Sequence, residues 1–384
     1  MSLARDRSFR AVILGHLIVD LLNAERPLLL AVLSVPLGLT NALIGLVSLL
    51  HTISGSLLQP AFGWMADRIG PRPLVAGGIL WMTVTFGLAV VAPGQAALVL
   101  LILGGVGSAA FHPAGAMEAT RAARGHLELQ ETTAASLFFL LGQIGFIVAP
   151  AVGGPLLDRW GPAGLLALVP FALPTGLLAA RDIADHVHPP DLPPAVSADS
   201  GTGLNFGLAS VAFATVTALQ SWAQTNMVTY LPKYYSDLGF RPSVYGLLAA
   251  AFMIGTAIGG LTGGWLGDRA SRRWIVSLSL VLAGAPLALY PSLGPTAWGY
   301  VLALLSGALT GASYSILIVQ GQRMLPGRRG VSSGLIMGFA FASGSLGTLL
   351  SGIQADRVGF SPVFLWTAAI CVLAGVLALF ARIE

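Results

Sequence analysis

The sequence predicts an all-α membrane protein with twelve transmembrane helices, arranged as two pseudo-symmetric six-helix bundles. Three observations predict this fold: the composition, a series of long apolar segments, and one polar segment that divides the chain into equal halves. Of 384 residues, 55% are hydrophobic and only 9% are charged. A soluble domain carries about 25% charged residues, and a disordered chain is rich in charge and poor in apolar residues. The composition therefore excludes both classes.

The apolar segments are long enough to cross a bilayer, which takes about 20 residues for a helix. Their residues are continuously apolar and do not alternate with polar ones, so the pattern disfavours the strands of a membrane barrel. The twelve segments lie near residues 10–35, 40–66, 73–92, 96–120, 129–156, 162–180, 204–232, 242–267, 273–291, 296–324, 330–355 and 361–382.

The first of these segments also has features of a signal peptide, since basic residues precede an apolar run. His16, Asp20 and Asn23 interrupt that run, and no cleavage site of small residues follows a clean apolar core. We therefore interpret the segment as the first transmembrane helix.

The polar segment 182–203 contains several prolines and small polar residues, which are typical of a linker. It separates a predicted N-terminal bundle, 1–181, from a predicted C-terminal bundle, 204–384. Two local repeats support a duplication. The string GWMADRIGPR begins at Gly63 and GWLGDRASRR begins at Gly264, and the Asp-Arg-x-Gly pattern at Asp158 recurs at Asp356. Similar offsets for both repeats indicate two related halves.

The basic residues predict the orientation of the chain. An even number of spans places both termini on one side, and that side holds 15 of the 20 basic residues in the predicted topology. Basic residues mark cytoplasmic loops. We therefore expect both termini in the cytoplasm and the protein in the cytoplasmic (inner) membrane.

The first segment carries the largest set of polar residues predicted to lie within the membrane. His16, Asp20 and Asn23 share one helix face at spacings of i, i+4 and i+7. Asp20 lies about 15 Å along the helix from Arg10, near the middle of the bilayer. Ionisable residues at that depth are functional candidates. We predict that Asp20 is a proton-coupling residue. The alternative is a hydrogen-bonded Asp with a structural role.

Two further residues are candidates for proton coupling. His112 precedes Pro113, where a helix kink leaves hydrogen-bond acceptors near a side chain that titrates near neutral pH. The alternative is that His112 satisfies the backbone carbonyl that Pro113 frees. Glu25 is the other candidate and adjoins Arg26. That pair is interpreted as a gate, as a substrate contact through Arg26, or as a structural ion pair.

Neutral polar residues on other predicted helices favour a central polar cavity, although stripes of this kind also hold helices together. The full set of predicted cavity residues is His16, Asn23, Arg26, His51, Gln59, Ser136, Gln143, Gln220, Gln224, Asn226 and Tyr314.

Several other chemistries are not predicted. The sequence has no Walker motif and no close Cys/His spacing that is typical of a metal site, so we expect no cofactor, no metal and no ATP hydrolysis. A membrane enzyme is disfavoured, because His186 and His188 form the only close histidine pair and no acidic or cysteine ligands accompany them. The basic residues are scattered, so no nucleic-acid partner is expected, and nothing requires an oligomer.

The loop at 63–72 fits the pattern G-x-x-x-D-R-x-G-x-R, and through it the chain resembles the major facilitator superfamily. A degenerate second copy begins at Gly264. The strings SLLQPAFGWMADRIG at 56–70, GSAAFHPAGAMEATRAARG at 107–125 and MLPGRRGVSSGLIMGFAFASGSLG at 324–347 resemble the fosmidomycin-resistance branch. That branch usually has an acidic residue after the His-Pro pair, whereas Ala114 stands there in this chain.

The resemblance implies a secondary transporter that works by alternating access and exports a small organic compound or drug in exchange for protons. The alternative is a facilitator or importer of a small metabolite such as a sugar or organic acid. The resemblance also implies a conformational latch, in which Asp67 faces the start of the predicted eleventh span, near residues 331–333, and Asp268 faces the start of the fifth, near residues 131–133. Its residues are Gly63, Asp67, Arg68, Arg72, Gly264, Asp268 and Arg269. The alternative is that the arginines of these loops only set the topology of the chain.

Overall fold

A computed structural model describes residues 6–124, 130–184, 207–324 and 329–383, and these residues are almost entirely helical. The helices are α1 (Arg7–Ser34), α2 (Asn41–Ser56), α3 (Gln59–Ile69), α4 (Pro71–Val91), α5 (Ala96–Arg124), α6 (Gln130–Trp160), α7 (Val169–Asp182), α8 (Leu208–Asp237), α9 (Pro242–Gly267), α10 (Arg272–Leu293), α11 (Trp298–Met324), α12 (Arg329–Val358) and α13 (Phe360–Ala378). A 3₁₀ segment, Pro162–Leu168, precedes α7.

The helices account for the twelve predicted spans. The predicted second span is divided into α2 and α3, because the chain turns at Leu57–Leu58 and Pro60 lies in the first turn of the new helix. The predicted sixth span consists of the 3₁₀ segment and α7. Within the part of the chain that the structure describes, ten of the twelve spans are long and apolar enough to cross a membrane. The other two, α1 and α8, are the more polar helices.

The predicted duplication is visible in the local backbone. Gly161 and Gly359 occupy equivalent positions in the two Asp-Arg-x-Gly repeats, and both have positive φ angles, of 63° and 77°. A residue with a β-carbon rarely adopts this conformation, so glycine allows the abrupt turn into the following helix in each half. The turn geometry is therefore repeated together with the sequence.

The chain forms two compact units. The first contains Met1–Leu37 and Leu50–Leu192, and the second contains Gly38–Leu49 and Pro193–Glu384. The predicted bundle boundaries at 181 and 204 stay a prediction, because most of the linker 182–203 lies outside the described residues. Arg181 and Asp182 belong to the last turn of α7.

Hydrogen bonds explain why the start of α2 groups with the second unit. The Asp356 carboxylate accepts hydrogen bonds from the backbone N–H groups of Asn41 and Ala42, at 2.7 and 2.9 Å. The Tyr230 hydroxyl donates to the carbonyl of Asn41 at 2.8 Å. Free N–H groups at a helix N-terminus favour an anion, so Asp356 caps α2.

Glycines bring neighbouring helices into close contact within each unit. In the first unit a β-carbon on Gly78 of α4 would lie 2.6 Å from the carbonyl oxygen of Gly107 of α5. In the second unit a β-carbon on Gly259 of α9 would meet the backbone of Ala308 of α11. Small residues at such contacts allow transmembrane helices to pack through their backbones. The polar side chains of α1 are held between helices packed in this way.

Candidate transport site

Three predicted residues meet between α1 and α5 of the first unit. His16 Nε2 lies 3.1 Å from Asp20 Oδ2, and His112 Nε2 lies 3.4 Å from Asp20 Oδ1. His16 and Asp20 are buried, whereas the His112 side chain keeps 24% of its surface exposed. The Asp20 carboxylate is therefore held between two imidazoles, and one of them faces an opening. We call His16, Asp20 and His112 the His-Asp-His cluster.

Backbone carbonyls fix the orientation of both imidazoles. The His16 Nδ1–H group donates to the carbonyl oxygen of Phe138 at 2.7 Å, and the ring stacks on the Phe138 ring at 3.9 Å between centroids. The His112 Nδ1–H group donates to the carbonyl oxygen of Ser108 at 2.8 Å. A carbonyl can only accept, so these contacts place the Nδ1 proton. Pro113 frees the carbonyl of Ala109, four residues earlier. His112 bonds the preceding carbonyl, that of Ser108, and not the freed one.

The cluster extends through Asn23 to α2. The Asn23 side-chain amide donates to Asp20 Oδ1 at 3.3 Å and to the Ser108 hydroxyl at 3.1 Å. His51 Nε2 lies 3.1 Å from Asn23 Oδ1, and His51 Nδ1 donates to the carbonyl oxygen of Leu101 at 2.7 Å. One polar network therefore joins five predicted residues. Ser108 and Phe138 were not predicted, because they contribute backbone carbonyls, which leave no residue-specific signal in the sequence.

Glu25 lies in contrasting surroundings on the same helix. Its side chain is fully buried, and neither carboxylate oxygen has a hydrogen-bond partner. A β-carbon on Gly153 of α6 would lie 2.0 Å from Glu25 Oε2, so the α6 backbone packs against the carboxylate. The structural ion pair with Arg26 that the sequence allowed is not formed.

Arg26 is directed toward α2, α4 and α5. Together with His51, Met82 and Phe86 it lines a cavity of about 10 Å³. A space of that size holds roughly one water molecule and no organic substrate. The Arg26 Nε atom is buried without a hydrogen-bond partner. The predicted substrate contact through Arg26 stays a prediction.

Three of the predicted cavity residues in the second unit form contacts within that unit. The Gln220 amide donates to Gln224 Oε1 at 2.8 Å and to the carbonyl of Thr310 at 3.1 Å. The Asn226 amide donates to the Thr367 hydroxyl at 2.8 Å, and the Asn226 Oδ1 atom has no partner. Tyr314 is half-buried on α11. These contacts hold α8 to α11 and α13.

The remaining cavity candidates lie on α3 and α6. The Gln59 amide donates to the carbonyl of Gly55, four residues earlier, at 2.9 Å, across the turn between α2 and α3. Ser136 and Gln143 are exposed along α6. Their role in a cavity stays a prediction.

The two signature loops share one local geometry. The Arg68 guanidinium lies 3.9 Å from the centre of the Trp64 ring, and the Arg269 guanidinium lies 4.4 Å from the centre of the Trp265 ring. Such cation–π contacts hold each Arg against its own helix end. The duplicated Trp-x-x-x-Arg spacing therefore produces the same contact in each half.

Other latch residues make contacts within their own unit. Arg72 donates to the carbonyl of Ala180, and Asp268 lies 3.7 Å from Arg272. A β-carbon on Gly63 would lie 3.6 Å from Pro113, and Gly264 has open space at the same position. Asp67 is exposed on the last turns of α3. The side chains predicted to face Asp67 and Asp268, at 331–333 and 131–133, lie outside the described residues, so the latch stays a prediction.

The family model described as Major Facilitator Superfamily matches residues 26–212 and again residues 213–384. The two matches divide the chain into the two halves that the repeats indicate. The chain belongs to the Major Facilitator Superfamily. It is therefore a multi-pass membrane transporter of the twelve-helix fold and not an enzyme.

Known relatives agree with this family. The chain is 27% identical to the fosmidomycin resistance protein of Escherichia coli (strain K12), over 92% of this chain and 87% of that protein. It is 30% identical to the MFS-type transporter YfnC of Bacillus subtilis (strain 168), over 96% and 91% of the two chains. The multidrug efflux pump Tap of Mycolicibacterium fortuitum is 28% identical over 73% of this chain and 71% of its own length.

Solved structures share the fold at low identity. A mutant of the nucleoside transporter NupG aligns with a TM-score of 0.79 at 16% identity, covering 97% of this chain and 98% of its own. A bacterial homologue of the lysosomal transporter Spinster, in an inward-facing and occupied conformation, also has a TM-score of 0.79, at 12% identity and 97% coverage of both chains. These likenesses establish the fold alone.

Proposed function

We propose that this transporter exports a small organic compound across the cytoplasmic membrane in exchange for protons, with both termini in the cytoplasm. Two kinds of observation support the proposal. Relatives named for fosmidomycin resistance and multidrug efflux align along most of the chain. The first unit also contains two carboxylates within its membrane-spanning core, where ionisable groups are costly and mark substrate or ion pathways.

The observation that carries proton coupling is the isolation of Glu25. A buried carboxylate with no hydrogen-bond donor and no cation beside it is strongly disfavoured in its charged form. The described arrangement therefore suits a Glu25 that carries a proton. Release of that proton requires water at the carboxyl group, and the contact with Gly153 leaves no room for water on the α6 side in the described conformation.

The His-Asp-His cluster suits a different role. Asp20 has two imidazoles and the Asn23 amide as neighbours, so its carboxylate lies among polar groups that the Glu25 carboxylate lacks. His112 presents a partly exposed ring beside it. We assign this cluster to substrate binding and Glu25 to proton carriage. Of the three residues predicted for coupling, Glu25 thus becomes the leading one, while Asp20 and His112 stay candidates from the sequence.

Transport in proteoliposomes tests the proposal, with fosmidomycin as the first probe. Wild-type protein should move the compound outward from its cytoplasmic face when a proton gradient is imposed, and a protonophore should abolish the accumulation. Glu25→Gln should keep exchange of labelled for unlabelled compound but lose gradient-driven accumulation. Asp182→Asn, which changes a partly exposed carboxylate paired with Arg181 at the end of α7, is the control and should retain both.

A second outcome would favour the rival function. If transport runs only down the concentration gradient of the compound and is insensitive to the protonophore, the protein is a facilitator. In that case Glu25→Gln should leave the rate unchanged. Full gradient-driven accumulation by Glu25→Gln would exclude Glu25 as the proton carrier.

A further inference from the structure

We propose that the His-Asp-His cluster is a binding site for one divalent transition-metal ion of the Zn²⁺ class. His16 Nε2, His112 Nε2 and the Asp20 carboxylate each offer one ligand atom, and these atoms lie within 4.8 Å of one another. Imidazole nitrogen and carboxylate oxygen are ligands that Zn²⁺ and its neighbours in the first transition row bind well. This inference does not depend on what compound the protein transports.

The distances suit a single ion. Zn²⁺ bonds to imidazole nitrogen and carboxylate oxygen are about 2.0–2.2 Å long, so two ligands at a tetrahedral centre lie roughly 3.3 Å apart. The distance from His16 Nε2 to Asp20 Oδ2 is 3.1 Å, and that from His112 Nε2 to Asp20 Oδ1 is 3.4 Å. Each imidazole nitrogen therefore already lies at about this separation from one of the two Asp20 oxygens, and one ion would be bound by both oxygens or by one of them after a small rotation of the carboxylate.

The tautomers of the two imidazoles favour a cation between the rings and the carboxylate. Each ring donates its Nδ1–H group to a backbone carbonyl, from Phe138 or from Ser108. A neutral ring in that tautomer has a lone pair at Nε2, and both Nε2 atoms face oxygens of Asp20. Lone pairs that face each other repel unless a positive species lies between them. A histidine that binds a metal through one nitrogen and a carbonyl through the other is the usual arrangement at metal sites.

The cluster is closed by α6 on one side and accessible at His112 on another. A β-carbon on Gly142 of α6 would lie 2.6 Å from both Asp20 Oδ2 and His16 Nε2. The backbone of α6 therefore packs closely against this side of the cluster, and an ion must approach from another side. The exposed part of the His112 ring provides the approach and leaves a fourth coordination position for water or a donor atom of the transported compound.

A metal ion at the His-Asp-His cluster would contradict the expectation of no metal from the sequence. Spacing rules detect ligands that lie close together along the chain, as His16 and Asp20 do. The third ligand, His112, comes from another helix and joins them only through the packing of α1 on α5. A bound ion would link these helices and occupy Asp20, so we expect rising free Zn²⁺ to inhibit transport.

The experiment is a Co²⁺ titration of the full-length protein in detergent, purified through a tag without histidine and stripped with EDTA. Visible absorption of Co²⁺ reports nitrogen and oxygen ligation, and Zn²⁺ added afterwards should remove the signal. We expect one ion per chain, with binding weakened at least tenfold in His16→Gln and in His112→Gln. The double variant His186→Gln, His188→Gln removes the close histidine pair of the linker and should bind like wild type.

A thermal melting curve accompanies every variant. Zn²⁺ should raise the melting temperature of the wild type, since a ligand that binds the folded state stabilises it, and should leave that of His16→Gln and His112→Gln unchanged. If His16→Gln does not fold, His112→Gln carries the test alone. The proposal is overturned if the wild type binds no Co²⁺, or if folded His112→Gln binds it as tightly as the wild type. Loss of binding in the linker double variant would also overturn it, since the ion would then lie at the linker histidines.

Discussion

Asp20 and Glu25 are two carboxylates five residues apart on α1, both buried in the first unit, and their surroundings are opposite. Asp20 has His16, His112 and the Asn23 amide within hydrogen-bonding or ion-pairing distance. Glu25 has no hydrogen-bond partner on either oxygen. Residue type and depth in the membrane are therefore a poor guide to role. The neighbours decide whether a carboxyl group holds a charge in place or carries a proton.

The largest stability effect should come from Asp20→Ala. This change removes the buried carboxylate that lies between the two imidazoles of the cluster, and breaking a buried pair costs about 3–5 kcal/mol. We expect the free energy of unfolding to fall by about 3 kcal/mol. Denaturant or thermal unfolding in detergent with EDTA present measures it. The contrast between the two carboxylates would be wrong if Asp20→Ala lowered the free energy of unfolding no more than Glu25→Ala.

A smaller effect should come from Gly153→Ala, because the added methyl group would overlap the Glu25 carboxyl group. Overpacking of a filled site costs about 1–3 kcal/mol. The double variant with Glu25→Ala should recover most of that loss, since the space of the longer side chain becomes free. A double-mutant cycle on unfolding free energies measures the coupling. Additive effects would mean that α6 does not pack on Glu25 in solution.

Asp356→Ala tests the importance of burial, because the Asp356 carboxylate has hydrogen-bond partners but is exposed. Its two N–H donors belong to the first turn of α2, and loss of such a cap costs about 1 kcal/mol. We therefore expect a loss of about 1 kcal/mol, below that of Asp20→Ala. Unfolding of both variants under identical conditions tests the order. A larger loss for Asp356→Ala would show that burial is not what makes Asp20 important.

Sequence periodicity predicted the twelve spans and the shared face of His16, Asp20 and Asn23, because both depend on local helical geometry. The break at Leu57–Leu58 was missed, since the apolar run continues through it. The meeting of His112 with Asp20 was not predictable from spacing, because it depends on how α5 packs on α1.

The same limit explains the surroundings of Glu25. The sequence placed Arg26 directly beside it, and an ion pair was one interpretation. Neighbouring residues on a helix point about 100° apart, so adjacency does not bring their side chains together. The residue that faces Glu25 is Gly153, which carries no side chain and gives no chemical signal in the sequence. Only the packing of α6 on α1 reveals that the carboxyl group is isolated.

The smallest stability effect should come from Glu25→Gln. The side chain keeps its size and loses no hydrogen bond, because none is formed, so we expect a change of less than about 0.5 kcal/mol in unfolding free energy. The same variant should lose gradient-driven accumulation while it retains exchange, since glutamine cannot release a proton. Melting curves and paired transport assays on one preparation measure both properties. A structural Glu25 predicts the reverse pattern, in which stability falls and both transport modes decline together. Near-native stability combined with selective loss of coupling would therefore identify Glu25 as the proton carrier and distinguish it from Asp20, whose replacement should reduce stability first.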